Sequence, residues 1–269
     1  MSRRRRAFLE WPGPIPFAHR GGAGDHPENT LPAFAAAVAI GYHHLETDVH
    51  VSRDGVVFAF HDDALDRVTD RRGRIEDLTA AEIDEADAGY TFTADAGATF
   101  PWRGQGIRVP RFEDVLGRWP SVRVNIDPKT DTVVDPLMGV LRRMDAFDRV
   151  CIGAFSDSRL RRVRRLARGG VCTSMGPRAV TAARLAAWLR FMPRLGADCL
   201  QIPVSHGRVR LAEPGLVQAA HRSGLQVHVW TVDSEAEMDA LLDMGVDGLM
   251  TDAPAVLRNV LERRRQWHG

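Results

Sequence analysis

His19, Glu46, Asp48, His61, Asp127 and Lys129 are the residues of this chain whose types and spacing suggest chemistry. They sit in four short runs, Phe17-Ala18-His19-Arg20-Gly21-Gly22, Leu45-Glu46-Thr47-Asp48-Val49, Phe60-His61-Asp62 and Asn125-Ile126-Asp127-Pro128-Lys129. Each lies at or just beyond the end of an apolar, β-branched stretch. Alternate residues of a strand face the same side, so Glu46 and Asp48 point together while Leu45, Thr47 and Val49 face the other way. Asn125, Asp127 and Lys129 share a face by the same rule. Two carboxylates so placed inside a fold repel unless a cation lies between them. With Asp127 they form an oxygen-rich set suited to Mg²⁺ or Ca²⁺, and zinc is disfavoured because no thiolate or clustered imidazole accompanies them. A solvated loop pair or a helix cap is the ordinary alternative for Glu-x-Asp; the third carboxylate argues against it.

His19 and His61 could serve as general acid and general base, in either order, since an ordinary imidazole pKa of about 6.5 suits both roles. Arg20 would grip phosphate oxygens through its fork and Lys129 as a point charge. Glycines beside Arg20 permit close backbone approach to an anion. The chemistry these groups share is metal-assisted cleavage of a phosphate ester.

Strand-like runs that alternate with helical patterns must position them. Ile15–His19 precedes a helix over Thr30–Ile40, with Asn29 as N-cap and Gly41 as stop. His43–Val51 turns at Asp54-Gly55 into a short returning strand, Val56–Phe60. Val122–Ile126, Val150–Phe155, Val171–Ser174, Cys199–Val204, Gln226–Val232 and Gly248–Met250 follow, each leading into a helix; the one after Val171–Ser174 spans Ala179–Leu189. Eight strands each followed by a helix predict a single α/β domain over 1–269, a closed (β/α)₈ TIM barrel. An open doubly wound sheet is the alternative, but no glycine-rich dinucleotide fingerprint opens a helix. Residues 62–109 break the rhythm, being polar and Gly-rich; they predict an insertion over the catalytic mouth with a short helix near Ala80–Ala86.

A length of 269 residues suits one such barrel, and 44% hydrophobic with 26% charged residues describes a globular chain. The net charge of +1 gives no global attraction to nucleic acid. Arg3 to Arg6 make a basic tip, and the arginine-dense helix Arg159–Arg168 offers weak peripheral contact with anionic lipid, a solvated outer helix being the commoner explanation. No apolar stretch follows the basic start and none approaches the ~20 residues of a membrane span, so a cytoplasmic location is expected. Cys151, Cys172 and Cys199 each lie in an apolar strand, lack metal-ligand spacing and are expected to be buried, inert thiols.

The chain resembles the glycerophosphodiester phosphodiesterases. The matching stretches are His19-Arg20-Gly21, Pro27-Glu28-Asn29-Thr30, Glu46-Thr47-Asp48-Val49, Asp54-Gly55, His61-Asp62, Asp127-Pro128-Lys129, Val229-Trp230-Thr231, and Gly245-Val246-Asp247-Gly248 with Thr251-Asp252. The resemblance implies a metal-dependent barrel hydrolase that converts small glycerophosphodiesters into glycerol 3-phosphate and an alcohol. It implies His19 and His61 as the acid–base pair, Glu46 and Asp48 as metal ligands and Trp230 as an aromatic wall for the glycerol end, where barrel packing is the alternative. Asp127 stands where the family usually has glutamate, one methylene longer. A lysophospholipase-D-like enzyme leaving a cyclic phosphate, and a non-catalytic phosphodiester-binding barrel, are the competing expectations; the second predicts a missing histidine or carboxylate.

Overall fold

The computed structural model describes residues 6–188, 192, 193 and 195–269. Arg3, Arg4 and Arg5 of the basic tip, and Leu189 at the predicted end of its helix, lie outside the described residues. Eight parallel strands form the barrel: β1 (Ile15–Ala18), β2 (His44–Val51), β3 (Arg123–Pro128), β4 (Val150–Ile152), β5 (Cys172–Thr173), β6 (Cys199–Pro203), β7 (Gln226–Trp230) and β8 (Gly248–Thr251). Each pairs with its neighbour in sequence, and β8 pairs with β1, Ala18 standing opposite Thr251. The β5–β6 joint rests on one parallel bridge, Ser174 to Cys199, and on the 2.7 Å bond that the Asp198 amide donates to the Thr173 carbonyl. Strands this short suffice because both faces are buried, as parallel sheets require.

The outward faces of the strands meet the helices in two large apolar clusters, one around Leu45, Val49, Ile126 and Leu137, the other around Leu200, Val227, Leu241 and Leu257. Inside the barrel lies a smaller set of Phe8, Ile15, Phe17, the three cysteines and Met250. The turn Ala7–Leu9 stoppers the amino-terminal end: His44 Nε2 lies 3.2 Å from the Phe8 carbonyl, and Gln226 donates to the Leu9 carbonyl at 3.0 Å. Gly248 is required where β8 meets β1, because a Cβ there would stand 2.9 Å from the Ile15 carbonyl and 3.0 Å from the Phe17 ring. Gly248→Ala is therefore expected to destabilise by about 1–3 kcal/mol, read as a lower midpoint in urea with an unchanged slope.

Two expectations are corrected. The first helix runs Leu31–Ala39 and is capped by Thr30, whose hydroxyl accepts from the Ala33 amide, not by Asn29. Asn29 instead takes a left-handed φ of 56° and turns its amide into the barrel. The 62–109 segment is less loop-like than its composition suggests. It carries the predicted helix, at Ala80–Asp84, with a Thr79/Glu82 capping box, and a satellite core of Leu65, Ile75, Ile83 and Val109 against Phe58 and Phe60. The returning strand, Val57–Ala59, pairs antiparallel with β2 and sets where this lobe begins.

Candidate active site

Every residue singled out from the sequence as catalytic or metal-binding lies at the carboxyl end of the barrel, the end that hosts active sites in this architecture. Glu46 and Asp48 on β2 stand opposite Asn125 and Asp127 on β3, so strand register alone brings three carboxylates together. All three are buried. Lys129 just beyond β3 bridges two of them, its Nζ 2.7 Å from Asp48 Oδ1 and 2.9 Å from Asp127 Oδ2. Asp127 Oδ1 is buried with no hydrogen-bond partner among the described residues. An anionic oxygen left so costs several kcal/mol unless something else meets it. Arg20 enters from the turn after β1; its amide donates to Glu46 Oε2 at 3.1 Å and its Nε lies 3.3 Å from Asp48 Oδ2.

These neighbours sort the carboxylates. Burial and the adjacent Asp48 charge push Glu46 up to about 7. Burial acts in the same direction on Asp48, but Lys129, Arg20 and His61 outweigh it and hold Asp48 below its ordinary value. Asp127 is raised by burial despite Lys129. Burial alone would lower Lys129, yet the two aspartates keep its pKa raised.

Both histidines are held the same way, each by its own carboxylate at Nδ1. His19 Nδ1 lies 2.7 Å from Asp252 Oδ1, just past β8, and its Nε2 is 3.8 Å from Glu46 Oε2. Burial would lower the His19 pKa, but Glu46 and Asp252 together raise it. His61 Nδ1 lies 2.6 Å from Asp62 Oδ1. Its backbone is pinned to β2: the Phe60 amide donates to the Asp48 carbonyl at 3.0 Å, and His50 Nε2 lies 3.1 Å from the His61 carbonyl. An Nδ1 proton given to a carboxylate leaves Nε2 of each ring as the working nitrogen. Asp62 is held at about 2, burial being overcome by Arg67 and His61.

Several contributors were given no part in the chemistry from the sequence. Asp252 appeared only within a motif. Asn29 donates to Asp48 Oδ2 at 3.0 Å while its Oδ1 accepts from Thr47 at 2.7 Å, so the outward-facing Thr47 fixes an inward-facing amide. Arg67, from the inserted lobe, donates to Asp62 at 2.5 Å and to Glu28 at 2.6 Å, and Glu28 in turn accepts from Arg20 at 3.1 Å. Phe155 stands edge-on to Trp230 with centroids 5.5 Å apart and is 65% exposed, an unusual position for a phenyl ring. The signal available in sequence was only its place at the end of the predicted strand Val150–Phe155, which in the structure stops at Ile152. Trp230 itself ends β7, half-buried, so it serves barrel packing and the mouth at once.

His228 fills an inner barrel layer against Phe17. His206 pairs across a small exposed hairpin, Ser205–His206 with Val209–Arg210. The arginine-dense helix, Asp157–Leu166, spends much of its charge internally: Arg159 binds Asp131 and the Pro128 carbonyl, Arg162 binds Asp135, and Arg164 binds Thr173 and Ser174. Among the described residues no helix is long and apolar enough to cross a membrane.

Residues 19–256 match the sequence model of the "Glycerophosphoryl diester phosphodiesterase family". The chain is 37% identical over 271 residues to "Probable glycerophosphodiester phosphodiesterase 2" of Mycobacterium tuberculosis, covering 97% of this chain and 96% of that one. It is 30% identical to a glycerophosphodiester phosphodiesterase of Caldanaerobacter subterraneus, covering 91% and 97%. The crystal structure of a glycerophosphodiester phosphodiesterase from Agrobacterium tumefaciens superposes with a TM-score of 0.75 at 25% identity, over 93% of this chain and 99% of the other.

Proposed function

We infer the site's chemistry from one premise: the chain belongs to the glycerophosphoryl diester phosphodiesterase family. It is a phosphoric diester hydrolase acting on small glycerophosphodiesters. The finer reading is that Glu46, Asp48 and Asp127 hold one divalent cation, Mg²⁺ or Ca²⁺, while His19 and His61 exchange protons with the ester to give glycerol 3-phosphate and an alcohol. The observation that carries it is three buried carboxylates converging beside two imidazoles, each steadied by an aspartate.

The donor set fits a hard cation. All candidate ligands are oxygens, and Asp127 Oδ1, without a hydrogen-bond partner among the described residues, is an acceptor suited to positive charge. When bound, such an ion supplies charge neutralisation for the phosphodiester and its transition state. Arg20 and Lys129 bind the phosphate oxygens, and leaving the aspartates for the substrate is open to both side chains. One imidazole Nε2 removes the proton of the attacking hydroxyl; the other delivers a proton to the leaving alkoxide oxygen. Trp230 and Phe155 wall the glycerol end. The attacker is either water or the substrate's own glycerol hydroxyl, the second giving a cyclic phosphate that water opens.

The test is a panel of glycerophosphodiesters and lysophospholipids incubated with Mg²⁺, Ca²⁺, Mn²⁺ or chelator, with products followed by phosphorus NMR. Glycerol 3-phosphate formed only with a divalent ion supports the reading; turnover indifferent to chelator sinks it. A transient cyclic phosphate identifies the internal attack.

Two further outcomes follow from the geometry. Glu46 is raised from an ordinary 4.5 to about 7, so between those values the metal-free fold binds a proton that the unfolded chain lacks. Its contribution to stability is therefore present at low pH and lost as pH rises through that window. Metal-free protein should melt lower at pH 8 than at pH 5.5, and Mg²⁺ or Ca²⁺ should recover the loss at pH 8 by binding only the folded state. Asp252→Asn, which removes the charge at His19 Nδ1, should lower kcat by about 10²-fold with little change in KM. The His19 limb of the pH profile should move to lower pH, which a merely structural role for Asp252 does not predict.

A further inference from the structure

A second cluster of ligating side chains lies inside the barrel, towards the end away from the catalytic mouth. Cys151, Cys172 and Cys199 come from three consecutive strands, and their sulfur atoms all lie within 4.8 Å of one another. Nothing in their separation along the chain pointed to this; closure of the barrel at β5–β6 brings the third thiol to the other two. The Cys151 and Cys199 sulfurs are 3.9 Å apart. Three sulfurs around one ion in a plane, at bond lengths of ~2.3 Å, would stand about 4.0 Å apart. The Cys151–Cys199 edge already has that length, and the other two edges are within 4.8 Å.

We propose that Cys151, Cys172 and Cys199 form a three-sulfur site for a monovalent thiophilic cation, Cu⁺. Soft thiolates select soft ions. Zinc takes four ligands in its structural sites, and among the described residues only three His, Cys, Asp or Glu side chains converge here. His228 turns its ring nitrogens to Gln201 and Gln226 and is not a fourth member of the group. Arg164, anchored on Thr173 Oγ1 at 2.9 Å, brings a positive charge close enough to act on Cys151 and Cys199 and offset thiolate charge. Each sulfur that bonds to the ion as thiolate gives its proton to solvent; the copper remains monovalent and no oxidant or reductant is consumed.

A cavity adjoins the cluster. It measures about 160 Å³, lies at the amino-terminal end of the barrel and has Arg6, Glu10, Asp148 and Cys172 in its lining. Arg6 is already committed to Asp198 at 3.0 Å, which leaves the carboxylates of Glu10 and Asp148 to favour a cation there. Cys172 is 2% exposed, whereas Cys151 and Cys199 are fully buried, so the ion would be received at Cys172 and then enclosed.

The test uses the intact, reduced protein titrated anaerobically with Cu⁺ against a chromogenic Cu⁺ chelator, followed by desalting and metal analysis. One copper per chain, sulfur-to-copper charge-transfer absorption and a raised melting temperature are expected. Cys151→Ser and Cys199→Ser should each weaken Cu⁺ binding at least 100-fold while leaving glycerophosphodiester turnover unchanged. Failure of the folded wild-type chain to retain Cu⁺ overturns the proposal without reference to any variant. So does equal or tighter retention of Zn²⁺, or undiminished binding by the serine variants. Loss of phosphodiesterase activity in every condition would bear on the catalytic site alone.

Discussion

His19→Ala is expected to lower kcat by about 10²–10⁴-fold, and His61→Ala by a similar factor, the range typical of a positioned acid or base. The argument is geometric. Each ring carries a carboxylate at Nδ1, 2.7 Å away for His19 and 2.6 Å for His61, so each presents its other nitrogen without having to choose a tautomer. His19 reaches the carboxylate cluster directly, and His61 influences Asp48 electrostatically. The two imidazoles thus approach the carboxylate cluster from two different elements. KM should change little, because the lost interaction is made in the transition state. A substrate carrying an activated phenolate leaving group separates the roles, since such a group departs without a proton. The variant lacking the acid recovers on it, and the variant lacking the base does not. Near-normal turnover by both alanine variants, measured with the fold verified by circular dichroism, would remove the proton-transfer mechanism altogether.

The second large effect concerns the cation. Asp127→Asn should weaken Mg²⁺ or Ca²⁺ binding by at least ~10–100-fold, the loss ordinarily seen when only an outer partner of a metal ligand is changed. Stability should fall much less, since the buried Asp127 Oδ1 has no partner among the described residues to lose. The change also frees Lys129 from one of its two carboxylates, so Asp48 becomes the lysine's main counter-charge. Asp127→Glu restores the carboxylate with one more methylene of reach. It should retain most of the affinity if the ligand role is right, and a shift in preference between Mg²⁺ and Ca²⁺ would show that side-chain length sets the cavity. Isothermal titration of the three proteins decides the matter: equal affinities would take Asp127 out of the ligand set.

Much of this was legible before any coordinates. Alternation along β2 and β3 requires Glu46 with Asp48 and Asn125 with Asp127 on one face, and the parallel register then places the pairs side by side. The eight-strand rhythm was legible too, because buried parallel strands and their helices leave different periodicities. What alternation cannot do is identify contacts made across the barrel or through turns. Asn29 reads as a helix cap until Thr30 is seen to take that place, and only then is its amide available to Asp48. Asp252 lies 233 residues from His19 and meets it because β8 closes on β1. Arg67 sits in a segment whose composition suggests a loop, yet the satellite core holds it where it can bind Asp62 and Glu28 together.

The cysteines mark the boundary most sharply. Sequence determined that each lies in a buried strand; it offered no reason to associate them, since metal-binding spacings report local turns and these three are joined only by barrel closure. Residue types and strand alternation settled which groups face inward at the mouth. Tertiary structure alone decided which of them touch, because the curvature that closes a sheet sets distances between side chains that no local pattern encodes.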